Sequence, residues 1–332
     1  MVPQKENLLI QKVVVAVALL LFSVKLFAWF ITQSVSILTD ALESIANVGA
    51  GFIGLFSLYI AAQPKDQNHP YGHGKAEFLS AGVEGSLIVI AGAIIIYQSI
   101  NSLLYPRPIK QLDVGMILIA STAVVNYLMG TISIYRGKKN NSLALIASGK
   151  HLQSDTWSTL GIIVGLILIY YTKLPWLDSA VALLFSFIIM ITGYKIIRKS
   201  IAGIMDEADL GLLKKMVGVL DKSRQENWVD LHNLRVIKYG GQLHVDCHLT
   251  VPWYLNVHEA HSEIDKLSLL IKTDFGNSIE LFVHSDGCLY FQCNICSKHD
   301  CPVRQKPFEK RVEWNMTNLL SDAKHSSGET RE

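Results

Sequence analysis

Apolar residues in the first 200 positions fall into six runs, each long enough for a bilayer crossing, which takes roughly 20 mostly apolar residues. The runs cover approximately 10–32, 35–61, 78–104, 112–136, 143–171 and 176–198. Turn chemistry or charge separates them: Gln63-Pro64-Lys65-Asp66, Tyr105-Pro106-Arg107-Pro108, the stretch from Arg136 to Asn141, and Leu174-Pro175. The fifth run differs, because its apolar stretch begins only after Asp155. Polar residues in its first turns are tolerable only if they face other helices rather than lipid. After Lys199 the period changes. Residues 208–222 read as an amphipathic helix. Residues 242–251 alternate, with Leu243, Val245, Cys247, Leu249 and Val251 on one face and His244, Asp246, His248 and Thr250 on the other. Residues 231–239 make the partner strand across Gly240-Gly241, a hairpin signal, then 257–270 a helix and 278–283 a third strand. The expected fold class is an α-helical membrane protein with six transmembrane helices in residues 1–204. A small cytosolic α+β domain of order αββαβ follows in 205–287, and a Cys-rich segment with a polar tail in 288–332. From Asn315 onward the tail is polar and aperiodic, so disorder is expected there.

Composition agrees with a chain half in a membrane: 50% of the 332 residues are hydrophobic. The net charge of +2 excludes a global field for nucleic acid, and no nucleic-acid partner is expected. The first run is too long for a signal-peptide core and lacks a small-residue cleavage site, so it reads as a retained span. Lysine and arginine set the orientation. With the N-terminus inside, the inner loops carry Lys5, Lys12, Lys65, Lys75, Arg136, Lys138, Lys139, Lys195, Arg198 and Lys199, and the outer loops only Arg107, Lys110 and Lys173. Both termini are therefore expected in the cytosol, and the protein in the inner or plasma membrane. No enzyme is expected, since there is no nucleophile–base pair, phosphate loop or nucleotide motif.

Two polar pairs carry the chemistry of the membrane half. Glu43 and Asn47 lie four residues apart, as do His151 and Asp155, and on a helix each pair shares a face. Ionisable groups at membrane depth are costly and mark bundle interiors or ion paths. Nitrogen and oxygen donors from two helices can together surround one divalent cation. A neutral imidazole, a neutral amide and two carboxylates sum to about −2, which balances such an ion. The bland alternative is interhelical hydrogen bonding. His151 is the one histidine in any predicted span, which favours the ion site. Asp40, one turn before Glu43, is a further candidate. In the loop after the second run, Asp66, His69 and His73 have a spacing that suits a cation, or equally a solvated turn. The soluble half offers His232, His244, His248, His258, His261, His284 and Asp286. Cys288, Cys293, Cys296 and Cys301 form C-x4-C-x2-C-x4-C, with His299 nearby. Four thiolates can enclose zinc, while an iron–sulfur cluster or a redox disulfide uses the same residues. Crowding between 288 and 301 does not resemble a secreted disulfide framework, so a reducing cytosol is the expected setting.

With these residues in view, the chain resembles the cation diffusion facilitators, a family of proton-coupled divalent-metal exporters that includes bacterial zinc and iron exporters. The resemblance runs from about residue 10 to 288 and rests on SILTDALESIANVGA, QPKDQNHPYGHGKAEFLS and HLQSD. It implies a homodimer, six spans and a metallochaperone-like cytosolic domain. It also implies transport of the ion by Glu43, Asn47, His151 and Asp155, and a secondary site at Asp66, His69 and His73. A metal pair at His232, His248, His261, His284 and Asp286, near the dimer contact, completes the set. Zinc is the expected metal and protons the counter-ion. Asn47 departs from the family, which usually has a carboxylate there; the amide leaves iron(II), manganese(II) and cobalt(II) open. Two other classes compete. A membrane-anchored metal sensor would bind without translocating, and a membrane oxidoreductase would act through Cys293 and Cys296.

Overall fold

The computed structural model describes residues 3–32, 35–104, 113–172, 176–276 and 278–326. It divides into two compact units, Met1–Met205 and Asp206–Glu332. The first is helical: α1 (Pro3–Thr32), α2 (Val35–Ala61), α3 (Ala76–Leu104), α4 (Asp113–Lys139), α5 (Leu143–Thr172) and α6 (Trp176–Ile204). These coincide with the six apolar runs, α1 beginning earlier than its run. Among the described residues, Lys5–Phe27 and Ala76–Asn101 are the stretches long and apolar enough to cross a membrane. Arg107, Lys110 and Lys173, the outer charges of the orientation argument, lie outside the described residues.

The unit is inverted in polarity. Phe27, Phe56, Tyr97, Ile117 and Leu184 are more than half exposed, while Gln11, Glu84, Ser133 and Ser142 are wholly buried. Water would not stabilise such a surface; lipid does. The interior polar groups bind the helices to one another. Glu6 accepts from Arg136 and, at 3.2 Å, from the Asn140 amide, which also donates to Asn7 Oδ1 at 2.7 Å. Gln11 Nε2 donates to the Gly51 carbonyl at 3.1 Å and to Ser148 Oγ at 3.0 Å, tying α1 to α2 and α5. Ser142 Oγ donates to Glu77. Small residues bring the backbones together. A Cβ added to Gly149 would lie 2.7 Å from the Gly130 carbonyl, closing α4 on α5, and one on Gly193 would lie 2.8 Å from the Gly85 carbonyl, closing α3 on α6. The polar first turns of α5 are accommodated this way: Ala144, Leu145, Ala147, Ser148 and His151 are all buried.

The second unit runs α7 (Leu210–Lys222), β1 (Asp230–Tyr239), β2 (Gln242–Val251), α8 (Val257–Phe275) and β3 (Ile279–Gly287), then a 3₁₀ turn at Tyr290–Gln292 and a short α9 (Met316–Leu319). The sheet order is β1-β2-β3. The pair β1/β2 is an antiparallel hairpin turning at Gly240, whose φ of 59° needs glycine. β2 and β3 are parallel, joined by the α8 crossover. Asn256 and Glu259 cap α8 reciprocally, at 3.0 and 2.8 Å. Leu231, Val245, Cys247, Leu249 and Val251 pack on Leu213, Met216 and Leu220 of α7 and on Leu267 and Ile271 of α8. β1 contains a bulge between His232 and Arg235, with Asn233 at φ 53°. One extra residue reverses the side-chain parity, so Leu231 and Leu234 both reach the core.

Two expectations need correction. β3 continues to Gly287 instead of ending near 283, because its pairing with β2 persists to Val251. The chain from Asn315 to Ser326 is also not a disordered tail. Trp314 and Leu319 are buried in the same core, and the Asn233 N–H donates to the Ser321 carbonyl at 2.7 Å. The His325 ring meets Asp230 Oδ1 at 2.5 Å, and the His325 N–H donates to Asp230 Oδ2 at 2.9 Å. The polar composition hid these few anchors.

Replacing Leu249, wholly buried at the centre of this core, with alanine should cost about 3 kcal/mol. Its expected signature is a fall on the order of 10 °C in the melting temperature of this unit, read by calorimetry. The Asp230–His325 contact should make docking of residues 316–326 pH-dependent. Burial alone would lower the His325 imidazole, but the hydrogen bond and charge of Asp230 outweigh it and raise it above its ordinary 6.5. Burial alone would raise Asp230, but the His325 hydrogen bond and charge hold it below its ordinary 3.8. The histidine's contribution is complete below 6.5 and lost as pH rises through its raised value. That of the aspartate is complete above 3.8 and lost as pH falls through its lowered value. Amide exchange in 316–326, corrected for intrinsic rate, should be slowest between those limits and should quicken in mild alkali. His325→Gln should abolish the dependence.

Candidate functional site

Asn47 on α2 meets both polar residues of α5. Its Nδ2 donates to Asp155 Oδ2 at 2.5 Å, and its Oδ1 accepts from His151 Nε2 at 2.8 Å. The direction of the second bond places a proton on Nε2 and leaves a lone pair on Nδ1, which is buried without a hydrogen-bond partner. His151 is 7% exposed. The i, i+4 spacing on α5, together with the packing of α2 against it, brings together three of the four expected donors. Glu43 and Asp40 belong to α2, but their side chains lie outside the described residues.

Asp66, His69 and His73 converge in the loop between α2 and α3. Asp66 stands 3.1 Å from His69 Nδ1 and 3.3 Å from His73 Nε2, and the two rings are 4.3 Å apart. The N–H groups of His69 and Asn68 donate to Asp66 Oδ1 at 2.7 and 2.9 Å, an Asx turn. The His69 backbone N–H holds the Asp66 carboxyl below its ordinary range, so it is anionic at neutral pH. Gly72, at φ 90°, makes the bend that returns His73 to the cluster.

The third cluster is written in the register of the sheet. His232, His248 and His284 are directly paired across β1, β2 and β3, with ring separations of 5.0 and 4.7 Å. Asp286, two residues along β3 on the same face, lies 3.7 Å from His232 Nε2, 3.5 Å from His248 Nδ1 and 3.6 Å from His284 Nε2. His232 Nδ1 and Asp286 Oδ2 are buried without hydrogen-bond partners. Burial pushes the His232 imidazole below its ordinary value, which favours the neutral, ligating form. Three imidazoles around one carboxylate offer the nitrogen and oxygen donors that suit a divalent metal of the zinc type. Lys324 Nζ lies 3.3 Å from Asp286 Oδ1, a cation already against that carboxylate.

Other expected residues stand apart. His261 is exposed on α8, and its ion-pair partner is Asp265 of the same helix at 3.8 Å. His258 is on α8 as well. His244 is buried at the far end of β2, 3.2 Å from Glu280 and stacked edgewise on Tyr239. Among the described residues, the loop trio and His232–His248–Asp286 are the groups whose ligand atoms all lie within 4.8 Å of one another.

Glu84 was missed. It is wholly buried in α3, and among the described residues neither oxygen has a hydrogen-bond partner; the same holds for Gln11 Oε1. Both side chains crowd Gly54, where an added Cβ would lie 2.7 Å from Gln11 Nε2 and 2.8 Å from Glu84 Oε1. A lone acid inside the apolar run SAGVEGSLIVIAG was the available signal.

Comparison with known proteins covers both units. Residues 12–205 match the model of the cation efflux transmembrane domain, and 219–288 that of the cation efflux protein cytoplasmic domain. A protein of Synechocystis sp. named as an uncharacterized transporter is 33% identical over 257 residues, 77% of this chain and 83% of its own. The cation-efflux pump FieF of Shewanella oneidensis is 27% identical over 272 residues, 82% and 91% of the two chains. FieF of Escherichia coli is 28% identical over 284 residues, 82% and 90%. Cys293, Cys296 and Cys301 lie beyond the residues that the family models match.

Proposed function

Because the chain belongs to the cation efflux family, the cation diffusion facilitators, we propose that it exports a divalent metal from the cytosol in exchange for protons. Zinc is the foremost substrate, with iron(II), manganese(II) and cobalt(II) as alternatives. The observation that carries this reading is the joining of Asn47 to both His151 and Asp155 between two helices of an inverted-polarity bundle. In the proposed protein α1–α6 all span the membrane, the termini are cytosolic, and two copies form a homodimer. The FieF pumps, named for cation efflux and matched over nine-tenths of their length, support the direction of transport.

The side chains divide the work. Glu43 stands four residues before Asn47 on α2, the spacing that shares a helix face. A cation entering between the helices replaces both hydrogen bonds of Asn47, taking oxygen from Asn47, Asp155 and Glu43 and, once the imidazole proton stands on Nδ1, the Nε2 lone pair of His151. Facing outward, protons compete for the same lone pairs on His151 and the carboxylates, and the metal leaves. The loop trio at Asp66, His69 and His73 would hold a second, weaker ion. The row of His232, His248, His284 and Asp286, with His261, would bind regulatory metal near the dimer contact. A sensor that binds without translocating would need that row alone, and nothing in it would call for donors inside the bundle.

Flux into proteoliposomes under an imposed pH gradient tests the proposal. Zinc uptake should follow the gradient in the intact protein and fall to the protein-free rate in His151→Ala and in Asp155→Ala, with both variants eluting at the unchanged size. Stoichiometric zinc binding without flux in the intact protein would establish the sensor instead. Asn47→Asp supplies a third carboxylate and should tighten the apparent affinity for zinc; an unchanged value would remove Asn47 from the ion's coordination.

A further inference from the structure

Outside all three clusters, four cysteines surround one small cavity in the second unit. Cys288, Cys293, Cys296 and Cys301 line a space of about 20 Å³, walled otherwise by Val229 and Pro252 and by Lys298 and Arg304. That is room for about one water-sized body. All four cysteines are free thiols. We propose that this quartet is a structural zinc site, distinct from the transport site and from the histidine row.

The backbone around the cavity is held independently of the thiols. The Cys288 N–H donates to the Val251 carbonyl at 2.9 Å, continuing the β2/β3 ladder by one rung. Cys293 closes the 3₁₀ turn, its N–H on the Tyr290 carbonyl at 3.4 Å. Arg304 spans the loop between the central cysteines: Nη1 donates to the Cys293 carbonyl at 2.6 Å and Nη2 to the Cys296 carbonyl at 3.0 Å. Ile295, wholly buried, anchors the same loop from within. A guanidinium clamp on the carbonyls of Cys293 and Cys296 fixes the C-x2-C turn before any ion enters it.

Charge and chemistry favour zinc. Four thiolates and one Zn²⁺ sum to about −2, and the same wall carries Arg304 and Lys298, the latter ion-paired with Asp300 at 2.9 Å. The sulfurs stand wider than in a filled site. No trio of them is among the groups whose donors lie within 4.8 Å of one another, whereas a tetrahedral zinc with bonds of ~2.3 Å places its sulfurs ~3.8 Å apart. Binding draws them in by rotation of side chains on a backbone already set. The consequence is local: zinc would pin residues 288–304 against the end of the sheet, where Gln292 Nε2 donates to Asp230 Oδ2 at 3.3 Å and Asp230 receives His325.

The test does not depend on transport. Full-length protein, reduced, stripped of metal by chelator and held in detergent, is titrated with Co²⁺. A thiolate-to-cobalt charge-transfer band saturating at one equivalent per chain is expected, and zinc should abolish it. The band should vanish in the Cys293→Ser/Cys296→Ser double variant and persist in His232→Ala/His248→Ala. A second measurement uses the wild type alone: zinc should slow maleimide labelling of the four cysteines, on the order of tenfold, and chelator should restore it. Cys247, 2% exposed in the core, is the internal reference. Absence of the band, zinc-insensitive labelling, iron–sulfur absorption in the purified protein, or disulfides among the four would each overturn the proposal.

Discussion

Hydrocarbon cannot solvate a polar group, and the first unit is organised by that constraint. A polar side chain placed there does best with a partner, and where that partner stands on another helix the bond fixes a register. Gln11 reaches α2 and α5, and Arg136 of α4 and Asn140 just after it hold Glu6 and Asn7 of α1. Glycine contacts at Gly130–Gly149 and Gly85–Gly193 bring the backbones close enough for short side chains to serve. His151, Asn47 and Asp155 form one more such network, set apart by containing an imidazole and a carboxylate. Glu84 and Gln11 present three buried oxygens that no donor in the described structure meets, so the interior is not uniformly satisfied.

The second unit obeys a different constraint, the two-residue period of its strands. Pairing across three strands aligns His232, His248 and His284 in one row, and the next row carries Asp230, Thr250 and Asp286. The opposite face is the apolar core. The bulge at Asn233 reconciles the two demands, because without it the residues after His232 would present the wrong faces. The C-terminal segment then covers the polar face: His325 binds Asp230, and Lys324 stands against Asp286. A metal held by the proposed histidine row would compete with Lys324 for Asp286.

How much of this was legible in the sequence depended on whether the signal was periodic. The helices of the first unit and the αββαβ order of the second followed from hydropathy, alternation and the Gly240-Gly241 turn. Spacing put His151 and Asp155 on one face of α5 and set Asp66, His69 and His73 within one loop, whereas the meeting of Asn47 with His151 and Asp155 depends on how α2 packs on α5. What failed was non-periodic. The Asn233 bulge leaves no trace but an asparagine in a strand. The docking of residues 315–326 rests on Trp314, Leu319 and His325, too few apolar anchors to register against a polar background. Glu84 was passed over because a single acid in an apolar run makes no pair. His261 was assigned by resemblance alone, and within one chain its geometry leads to Asp265.

Asn47 bears on the chemistry more than its neutral charge suggests. A carboxylate at this position, facing Asp155, would need a shared proton to avoid repulsion at hydrogen-bond distance. The amide makes that bond with its own N–H, while its oxygen accepts from His151, so the network closes with no proton held between two acids. For an exporter of the kind proposed, the substitution removes one exchangeable proton and one negative charge together. The metal then meets two carboxylates instead of three, and its charge is matched without excess. Coupling must pass through His151, Asp155 and Glu43, and the imidazole carries a larger share of it than it would beside a third acid.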